Sequence, residues 1–418
     1  MTKKTKAVIL AGGLGTRMKS DIPKVLHHLN GRPMIDYVLD AANHTGIKDI
    51  ICVTGHKAGM VKRSLKGIKV VKQKRPLGSA DAVKQARKFF KTLSGDLLVL
   101  CGDAPLIRPQ TIKRLKRVHR KEKNSCTLLS ARMADPTGYG RIVRDYENNV
   151  AGIVEELETS TSQKSINEIN AGVYFFDIKK LFPLLAEIKN DNSKKEYFLT
   201  DIISLMHKKR LKVNSVLVDD SDEVFGINTR SDLSTASSIL RKRKLKELMD
   251  AGVTIVAPES TYIDETVRIE RDTIIYPYTV IEGQVRIGRD CRIGPFARIR
   301  SGCELKKGVE IGNFVELTRT KIDKDTKIKH HTYLGDAIIG KGVNVGAGTI
   351  TANYDGKGKY VTKIDDKAFI GSGTILVAPV KVGKNAVTGA GAVVTKKKNV
   401  PPNSVVVGIP AKLLKTVD

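Results

Sequence analysis

One stretch of the chain repeats every six residues, and this period limits its fold more than any other feature. An aliphatic residue occupies every sixth position for ten repeats: Ile263, Ile269, Ile275, Ile281, Ile287, Ile293, Ile299, Leu305, Ile311 and Leu317. Small or β-branched residues recur four positions later: Val267, Thr273, Thr279, Val285, Cys291, Ala297, Cys303, Val309 and Val315. A helix cannot hold such a series on one face, because six residues turn it by about 600°. The period predicts a hexapeptide solenoid, a coil of short strands with one inward aliphatic on each flat side.

The strict period ends after Leu317. The next aliphatic positions, which include two five-residue steps, are Ile322, Ile328, Leu334, Ile339 and Val345. A polar segment at residues 351–363 then interrupts the coil, which resumes at Ile364, Ile370, Leu376 and Val382. Because excursions from a solenoid commonly form its binding face, we expect a ligand site here. A passive insertion is the alternative, since its Asn-Tyr-Asp-Gly string is good turn chemistry.

Residues 1–230 alternate strand-like and helical patterns. The predicted strands are Lys6–Leu10, Asp49–Thr54, Lys69–Lys72, Asp96–Cys101, Cys126–Arg132 and Ala171–Phe176, with helices such as Met34–Ala42 and Ala80–Phe90 between them. This order predicts an α/β domain, Rossmann-like, with a mostly parallel sheet. We expect a linker helix over residues 231–250, whose basic run at 241–244 faces solvent, and a β-helix domain with a C-terminal tail over residues 251–418.

The composition restricts the partners and the compartment. The chain has 73 Lys and Arg against 44 Asp and Glu, a formal charge of +29, which permits anionic partners. It has no Trp and 5% aromatic residues, so phosphorylated substrates explain the charge more simply than nucleic acid does. Five cysteines without a C-x-x-C pair predict free thiols in a reducing compartment. No apolar run reaches membrane-spanning length, so we expect a cytoplasmic protein with no membrane partner.

A glycine-rich loop follows the first predicted strand, with the letters LAGGLGTRM and then PKVLH. Its glycines let backbone N–H groups turn toward an anion, and Arg17 and Lys24 add positive charge. A tight βα turn is the alternative for the glycines alone, and the loop lacks the G-K-[ST] ending of a P-loop. The longer string resembles the signature of sugar-1-phosphate nucleotidyltransferases. By that resemblance the nucleotide contacts are Leu10, Gly12, Gly13, Gly15, Lys24, Gln73, Gly78 and Ser79.

Further strings match this family in the expected order. Asp103 follows a strand in the string LCGDAPL, where an α/β sheet places its ligands, although a turn aspartate is the alternative for that residue alone. The resemblance implies that Asp103 and Asn228 bind Mg²⁺ and that Arg17 and Lys24 neutralise phosphate charge during catalysis. It also implies sugar contacts at Gly140, Glu155 and Asn170. Together with the solenoid, these strings resemble the bifunctional uridylyltransferase/amino-sugar N-acetyltransferase family of cell-wall precursor synthesis.

The string HHTYLGD, which begins at His330, resembles the acetyltransferase motif of that family. An imidazole is suited to removing a proton from an amine as it attacks a thioester. The resemblance selects His330 as the base and Glu316 as the residue that orients it. It implies that Arg300, Tyr333, Asn344 and Lys359 hold the sugar phosphate, and that Ala347, Asn353, Tyr354, Ser372 and Ala390 form the acetyl-CoA site.

The chain departs from this family at several positions. Thr318 stands where relatives carry a phosphate-binding lysine, with Arg319 and Lys321 as neighbouring substitutes, and Cys101 stands where relatives often have tyrosine. The run from the linker to Arg300 is also shorter than usual by roughly two coils.

The resemblance implies Mg²⁺ as cofactor, acetyl-CoA as co-substrate, UTP and a hexosamine 1-phosphate as substrates, a homotrimer, and a left-handed coil for the β-helix. Two other functions stay open at this point. One is a monofunctional nucleotidyltransferase whose β-helix only oligomerises or regulates. The other is a non-enzymatic polyanion-binding protein, which requires steeply salt-dependent affinity for nucleic acid.

Overall fold

The computed structural model describes residues 4–416, which divide into two units between Ser237 and Ser238. The predicted domains run from residue 1 to residue 418, so their outermost residues, 1–3 and 417–418, lie outside the described residues. The first unit is the predicted Rossmann-like α/β domain, and the second is the predicted parallel β-helix.

The first unit is built on a nine-stranded sheet and a small two-stranded one. The strands are β1 (Thr5–Ala11), β2 (His28–Leu29), β3 (Arg32–Pro33), β4 (Ile50–Thr54), β5 (Lys69–Lys72), β6 (Asp96–Cys101), β7 (Cys126–Arg132), β8 (Arg141–Arg144), β9 (Val150–Val154), β10 (Glu168–Asp177) and β11 (Val213–Leu217). The large sheet has the order β11-β7-β10-β6-β1-β4-β5, with β8 on β10 and β9 on β8. Along this order, β1 with β4 and β6, β4 with β5, and β7 with β11 pair in parallel, so the predicted mostly parallel sheet is confirmed there. The antiparallel pairs are β10 with β6 and β7, β8 with β10, and β9 with β8.

Helices alternate with these strands along the chain. They are α1 (Met34–Asn43), α2 (Ala58–Ser64), α3 (Ser79–Gln85), α4 (Pro109–Lys121), α5 (Thr161–Lys164), α6 (Ile178–Leu185), α7 (Asp201–Lys208) and α8 (Arg230–Asp250). Short 3₁₀ turns occur at Thr16–Met18, Lys24–Leu26, Ala86–Phe89, Glu156–Glu158, Ser221–Val224 and Pro258–Ser260. Successive strand side chains point to opposite faces. Ile9 therefore packs in one apolar layer with Val38 and Leu115, while Val8 packs in the other with Val83.

The parallel strands bring the loops that follow them to one edge of the sheet. Ala11 is the register partner of Thr54, and Leu10 is the partner of Cys101, so β1, β4 and β6 end side by side. The glycine-rich loop and Asp103 therefore emerge next to each other. The beginnings of the same strands lie at the opposite edge, where Thr5 pairs with Asp96.

The second unit is a three-faced parallel β-helix. The first face contains Thr254–Ile255, Ile274–Ile275, Arg292–Ile293, Asn344–Val345, Phe369–Ile370, Val387–Thr388 and Ser404–Val407, and ends in the antiparallel strand Lys412–Thr416. The second contains Tyr262–Ile263, Val280–Ile281, Arg298–Ile299, Ile350–Ala352, Ile375–Val377 and Val393–Val394. The third contains Arg268–Ile269, Arg286–Ile287, Glu304–Leu305, Lys321–Ile322, Ala337–Ile339, Thr362–Ile364 and Val380–Val382. Two longer strands, Glu310–Thr318 and Lys327–Gly335, turn the corner between the first two faces.

The six-residue period is the inward register of this coil. All ten repeat aliphatics are at most 8% exposed, and each pairs with the aliphatic three positions later in the series, as Ile263 does with Ile281. The two five-residue steps give shorter coils, in which Leu317 pairs with Leu334. The polar segment at 351–363 lengthens one coil, so Ile339 pairs with Ile364. The prediction of a regular scaffold interrupted after Leu317 is confirmed.

The helix α8 contains the boundary between the two units. The prediction that its basic run faces solvent is wrong for Lys244, which is 2% exposed and donates from Nζ to Glu247 Oε1 at 3.0 Å. Residues four apart share a helix face, and both Leu240 and Leu248 are buried. The apolar stem of Lys244 is therefore buried between them, while its ammonium keeps an acidic partner.

The five cysteines are free, as predicted, and Cys52, Cys126, Cys291 and Cys303 are buried. The last two point into the β-helix at small-residue positions of the repeat. Burial raises the pKa of the Cys52 thiol to about 12, which keeps it uncharged and poorly reactive at neutral pH. Within residues 4–416, no helix is both long and apolar enough to cross a membrane.

Candidate active sites

A cleft of about 440 Å³ lies at the carboxyl edge of the parallel strands. The predicted nucleotide, catalytic and metal residues that line it are Leu10, Gly12, Gly13, Gly15, Arg17, Lys24, Gln73, Gly78, Ser79, Asp103 and Asn228. They come from five separate segments of the chain. The fold therefore brings together, in one cleft, all of the residues predicted to contact the nucleotide and its metal.

The ammonium of Lys24 lies between two oxygen ligands in this cleft. Its Nζ is 2.5 Å from Asp103 Oδ2 and 3.1 Å from Asn228 Oδ1. The backbone of Ile227 donates to Asp103 O at 2.9 Å, which holds the two loops together. A carboxylate and an amide oxygen that converge on one cation are ligands of the kind Mg²⁺ takes. The two side chains therefore have the oxygen chemistry that a divalent metal would require.

The glycine-rich loop is shaped by close contact with Lys24. Gly15 has φ of 65°, and a Cβ at this position would lie 2.9 Å from Lys24 Cβ, so a larger residue is excluded by both backbone conformation and space. Arg230 fixes the far end of the loop, because its Nε donates to Met18 O at 3.2 Å. The loop thus holds Arg17 and Lys24 at the same side of the cleft.

Gln73 and Gly78 form the opposite wall. Gln73 is 7% exposed, and its Nε2 donates to Gly78 O at 3.0 Å and to Asp81 Oδ2 at 2.7 Å. Gly78 has φ of 103°, and a Cβ there would lie 2.5 Å from Tyr197 O. Ser79 Oγ accepts the backbone N–H of Leu199 at 2.9 Å. The wall is therefore preorganised, and Asp81 is a contributor that the sequence pattern did not reveal.

The three predicted sugar contacts lie together beside the cleft. The backbone N–H of Asn170 donates to Gly140 O at 2.8 Å, and a Cβ on Gly140 would lie 3.7 Å from Glu155 Oε2. None of the three lines the cleft itself, but Cys101 does, and its Sγ is 3.6 Å from Gly172 O on the same strand as Asn170. The sugar residues therefore adjoin the nucleotide residues through Cys101.

Glu155 has neighbours that sequence reasoning missed. The hydroxyl of Thr200 donates to Glu155 Oε1 at 2.8 Å. Burial, together with the negative charges of Glu155 and Glu158, raises the pKa of Asp201 to about 6. A carboxyl group that titrates near neutral pH is thus built in next to a predicted sugar contact.

The second set of predicted residues lies on the β-helix where its period breaks. His330 is exposed on the corner strand Lys327–Gly335, and its Nδ1 is 3.2 Å from Asn313 Oδ1 on the preceding coil. Glu316, the predicted orienting residue, instead contacts Arg300, with Oε1 3.1 Å from Nη1. Among residues 4–416, Asn313 is therefore the hydrogen-bonding partner of the imidazole, through Nδ1, and Nε2 has none.

A polar cluster surrounds Gly335 on the second face. A Cβ on Gly335 would lie 2.6 Å from the Tyr333 hydroxyl and 2.7 Å from Asn353 Nδ2, so glycine makes room for both side chains. Asn353 Nδ2 also donates to Asp336 Oδ2 at 2.5 Å. The hydrogen bond from the Arg319 guanidinium lowers the pKa of Asp336 below its ordinary value, against the opposing effect of burial.

Thr318 joins this cluster, as the register partner of Gly335, and is 3% exposed. Arg319 covers it, donating to Thr318 Oγ1 at 3.2 Å and to the two oxygens of Asp336 at 2.5 and 2.8 Å. Lys321 lies on the third face instead. Of the two predicted substitutes for the missing lysine, only Arg319 therefore brings positive charge to position 318.

The remaining predicted residues follow one corner of the coil. Gly373 donates to Ala347 O at 2.7 Å and Gly391 donates to Ser372 O at 2.8 Å, and a Cβ on Gly371 would contact Ala390 N at 2.8 Å. Ala347, Ser372 and Ala390 thus lie on successive coils, on the C-terminal side of the coil that carries His330. Asn344 lies on the strand just before that corner. Tyr354 and Lys359 pair across the polar excursion, and both are exposed.

Comparison with known proteins supports the division into two catalytic units. Residues 6–244 match the family model described as nucleotidyl transferase. Residues 266–301, 285–319 and 362–396 match the model for six repeats of the bacterial transferase hexapeptide. The two units of the structure therefore correspond to two known transferase families.

Curated relatives cover nearly the whole chain. The bifunctional protein GlmU of Syntrophomonas wolfei is 41% identical over 97% of both chains. The protein of the same name from Pelotomaculum thermopropionicum is 44% identical over 90% of both chains. That from Thermosipho africanus is 45% identical over 96% of this chain and 94% of the relative. The chain therefore belongs to the GlmU family of bifunctional enzymes, which join a uridylyltransferase to an N-acetyltransferase in UDP-N-acetylglucosamine synthesis.

Proposed function

We propose that the β-helix unit N-acetylates glucosamine 1-phosphate with acetyl-CoA, and that the α/β unit then transfers a uridylyl group from UTP to the product. The assignment of uridylyl transfer to the α/β unit rests on its cleft, in which Lys24 Nζ bridges Asp103 and Asn228 beside the glycine-rich loop. A monofunctional nucleotidyltransferase would not need His330, Tyr333 and Asn353 at the point where the repeat breaks, so we favour two activities.

Uridylyl transfer needs charge neutralisation and alignment rather than a covalent enzyme intermediate. A phosphate oxygen of N-acetylglucosamine 1-phosphate attacks the α-phosphorus of UTP, a new P–O bond forms, the α–β anhydride bond breaks, and pyrophosphate leaves. Arg17 and Lys24 offset the negative charge that accumulates on the phosphates. Bound Mg²⁺ would be held by Asp103 and Asn228 and would supply Lewis-acid stabilisation of the phosphate oxygens.

The walls of the cleft position the two substrates for this attack. The buried amide of Gln73 and the backbone at Gly78 present fixed polar groups to the base, while Gly140, Glu155 and Asn170 bind the sugar. Because the sugar residues adjoin the cleft through Cys101, the acceptor phosphate can approach the α-phosphate without a large movement. Burial raises the pKa of the Cys101 thiol to about 12, so this residue acts as a neutral neighbour and not as a nucleophile.

Acetyl transfer is assigned to the corner that carries His330. The imidazole removes a proton from the sugar ammonium, and the amine attacks the thioester carbonyl to form the C–N bond. The C–S bond then breaks, and the departing thiolate takes the second proton that the nitrogen loses, which releases CoA. Asn313 holds the ring through Nδ1, which directs Nε2 toward the amine. Arg300, Tyr333, Asn344 and Lys359 bind the sugar phosphate, with Arg319 supplying the charge that Thr318 lacks. Asn353 and Tyr354 orient the reacting groups, and Ala347, Ser372 and Ala390 line the acetyl-CoA site.

Paired variants test the assignment of two reactions to two sites. Asp103→Asn keeps the shape of the side chain but removes a charge from the metal ligand set. We expect it to lower pyrophosphate release from UTP by about a hundredfold and to leave CoA release unchanged. His330→Ala should abolish CoA release and leave pyrophosphate release intact. If either variant lost both activities while remaining folded, the separation of the sites would be wrong.

We also propose a homotrimer that assembles through the β-helix, located in the cytoplasm. The trimer is supported by the hexapeptide coil, whose flat faces can pack against those of other copies. The cytoplasmic location is supported by five free thiols, which are typical of reducing compartments, and by the presence there of UTP and acetyl-CoA.

A further inference from the structure

A second large concavity lies at the edge of the sheet opposite the nucleotide cleft. This basic groove, of about 780 Å³, is lined by eleven residues, among them Lys4, Lys48, Asp49, Lys69, Lys116 and Arg120. It opens where β1, β4 and β5 begin, and α4 contributes its floor through Lys116 and Arg120. None of these residues belongs to either of the two proposed active sites.

The groove concentrates positive charge beyond what its carboxylates balance. Five of its lining residues are cationic and one is acidic. The single carboxylate, Asp49, is already shared, with Oδ1 2.7 Å from Lys69 Nζ and Oδ2 3.7 Å from Lys6 Nζ. Arg120 donates from Nε to Oδ2 of Asp96 at 2.7 Å, and Asp96 does not line the groove. Within residues 4–416, no ion pair engages Lys4, Lys48 or Lys116.

Lys116 and Arg120 lie one turn apart on α4 and repel each other, so the groove gains from an anionic occupant. Burial and the neighbouring charge of Arg120 both lower the pKa of Lys116, against the attraction of Asp96. An anion bound between the lysines would offset that repulsion. The free energy of ligand binding would thus include relief of a charge repulsion that the unliganded fold retains.

The lining also indicates which kind of anion fits. A single phosphate would contact only part of a groove of this size, whereas a chain of phosphates can reach cations on all of its walls. Four of the five cations are lysines, which are compact point charges without the planar fork that arginine uses for bidentate recognition. None of the eleven lining residues is aromatic, so the groove offers no surface on which a nucleic-acid base could stack.

From these features we infer that the basic groove binds a linear polyphosphate chain, contacted by Lys4, Lys48 and Lys116 from three different segments. This ligand is distinct from the nucleotide substrates, since the groove and the cleft lie at opposite ends of the same strands. The lysines recognise the polyphosphate by charge, through the spacing of its phosphate groups.

Three variants of the full-length protein test this site, two of them matched in charge. The groove variant combines Lys4→Gln, Lys48→Gln and Lys116→Gln. The surface control combines Lys62→Gln, Lys164→Gln and Lys180→Gln, three exposed lysines outside every cavity described above. The cleft control is Arg17→Gln. Binding of linear inorganic polyphosphate is measured by titration calorimetry at fixed ionic strength, with circular dichroism confirming that each variant is folded.

We expect the groove variant to lose at least tenfold in affinity and both controls to stay within threefold of the unmodified protein. Equal losses in the groove variant and the surface control would mean that the overall charge of +29 attracts the polymer without a site. A loss confined to Arg17→Gln would place the polymer in the nucleotide cleft. No measurable binding by the unmodified protein, or equal groove-dependent affinity for single-stranded RNA with the same number of phosphates, would also overturn the inference.

Discussion

The chemistry of each candidate site depends on single contacts between residues that are distant in sequence. Asn313 and His330 are 17 residues apart, one shortened coil of the β-helix, and the register places them side by side. A ring nitrogen that is held by an amide oxygen carries its proton there, so the other nitrogen is free to act as a base. Asn313 is therefore a positioning residue for the proposed acetyl transfer.

Replacement of Asn313 tests this role. We expect Asn313→Ala to lower kcat for CoA release by about tenfold, which corresponds to about 1.4 kcal/mol of transition-state stabilisation, with little change in the KM for acetyl-CoA. Asn313→Asp should retain more activity, because a carboxylate also accepts from Nδ1. Steady-state measurements of kcat and KM for CoA release at several pH values would test these expectations. An unchanged kcat in Asn313→Ala would show that another group orients the ring.

Asp201 provides a pH-dependent test in the first unit. Burial and the charges of Glu155 and Glu158 raise its pKa from 3.8 to about 6 in the folded protein. The folded state therefore holds this proton more tightly than the unfolded chain does. The stability from this proton is complete below pH 3.8 and is lost as the pH rises through about 6. At neutral pH the ionised carboxylate is consequently a net cost to the fold.

Asp201→Asn should remove this dependence. We expect the variant to gain stability relative to the unmodified protein as the pH rises from about 4 to 7. The gain should be about 1 kcal/mol after allowance for partial solvent screening. Thermal unfolding of both proteins at several pH values measures it, with Lys180→Gln, a substitution at an exposed position of α6, as a neutral control. A stability difference that does not vary with pH would contradict the assignment.

At the scale of elements, the packing of the loop before α3 controls one wall of the cleft. The backbone N–H of Ala80 donates to Tyr197 O at 2.9 Å, and Tyr197 N donates to Leu77 O at 2.8 Å. This reciprocal pair leaves no room for a side chain at Gly78, whose φ is also unfavourable for other residues. The geometry of the wall therefore depends on one glycine.

Substitution of Gly78 should disturb UTP binding more than it disturbs the fold. We expect Gly78→Ala to raise the KM for UTP at least tenfold, because the added Cβ must push the loop away from Tyr197. Gly59→Ala is the matched control, since it lies within α2 and its Cβ would meet only Arg63 Nη1 at 3.8 Å. It should leave the KM unchanged. Equal KM values for the two variants would show that the wall is not part of the nucleotide site.

Elements with a strong local pattern could be predicted from the sequence, and long-range contacts could not. Asp96–Cys101 and Cys126–Arg132 are largely buried apolar runs, and their predicted and observed bounds coincide. The hairpin strands Arg141–Arg144 and Val150–Val154 escape prediction, because they are short and carry no clear alternation. The same limit applies to the sites. Motifs identify the cleft residues, but the contact of Asn313 with His330 depends on the number of residues in each coil.

For the whole molecule, the proposed trimer predicts a specific mass in solution. If the flat faces of the β-helix assemble as proposed, sedimentation should give a mass of three times the chain mass of 45.8 kDa. The expected trimer should persist at the concentrations used for kinetics. A monomeric or dimeric mass at those concentrations would contradict the proposed trimer.

If one chain carries two consecutive transferases, its reaction products identify both activities in a single experiment. The purified protein is incubated with glucosamine 1-phosphate, acetyl-CoA, UTP and Mg²⁺, and the nucleotide sugar is identified by mass spectrometry. We predict UDP-N-acetylglucosamine, with CoA and pyrophosphate released in equal amounts. Pyrophosphate release from UTP with added N-acetylglucosamine 1-phosphate, without CoA release from acetyl-CoA with glucosamine 1-phosphate, would contradict this result and leave a monofunctional nucleotidyltransferase.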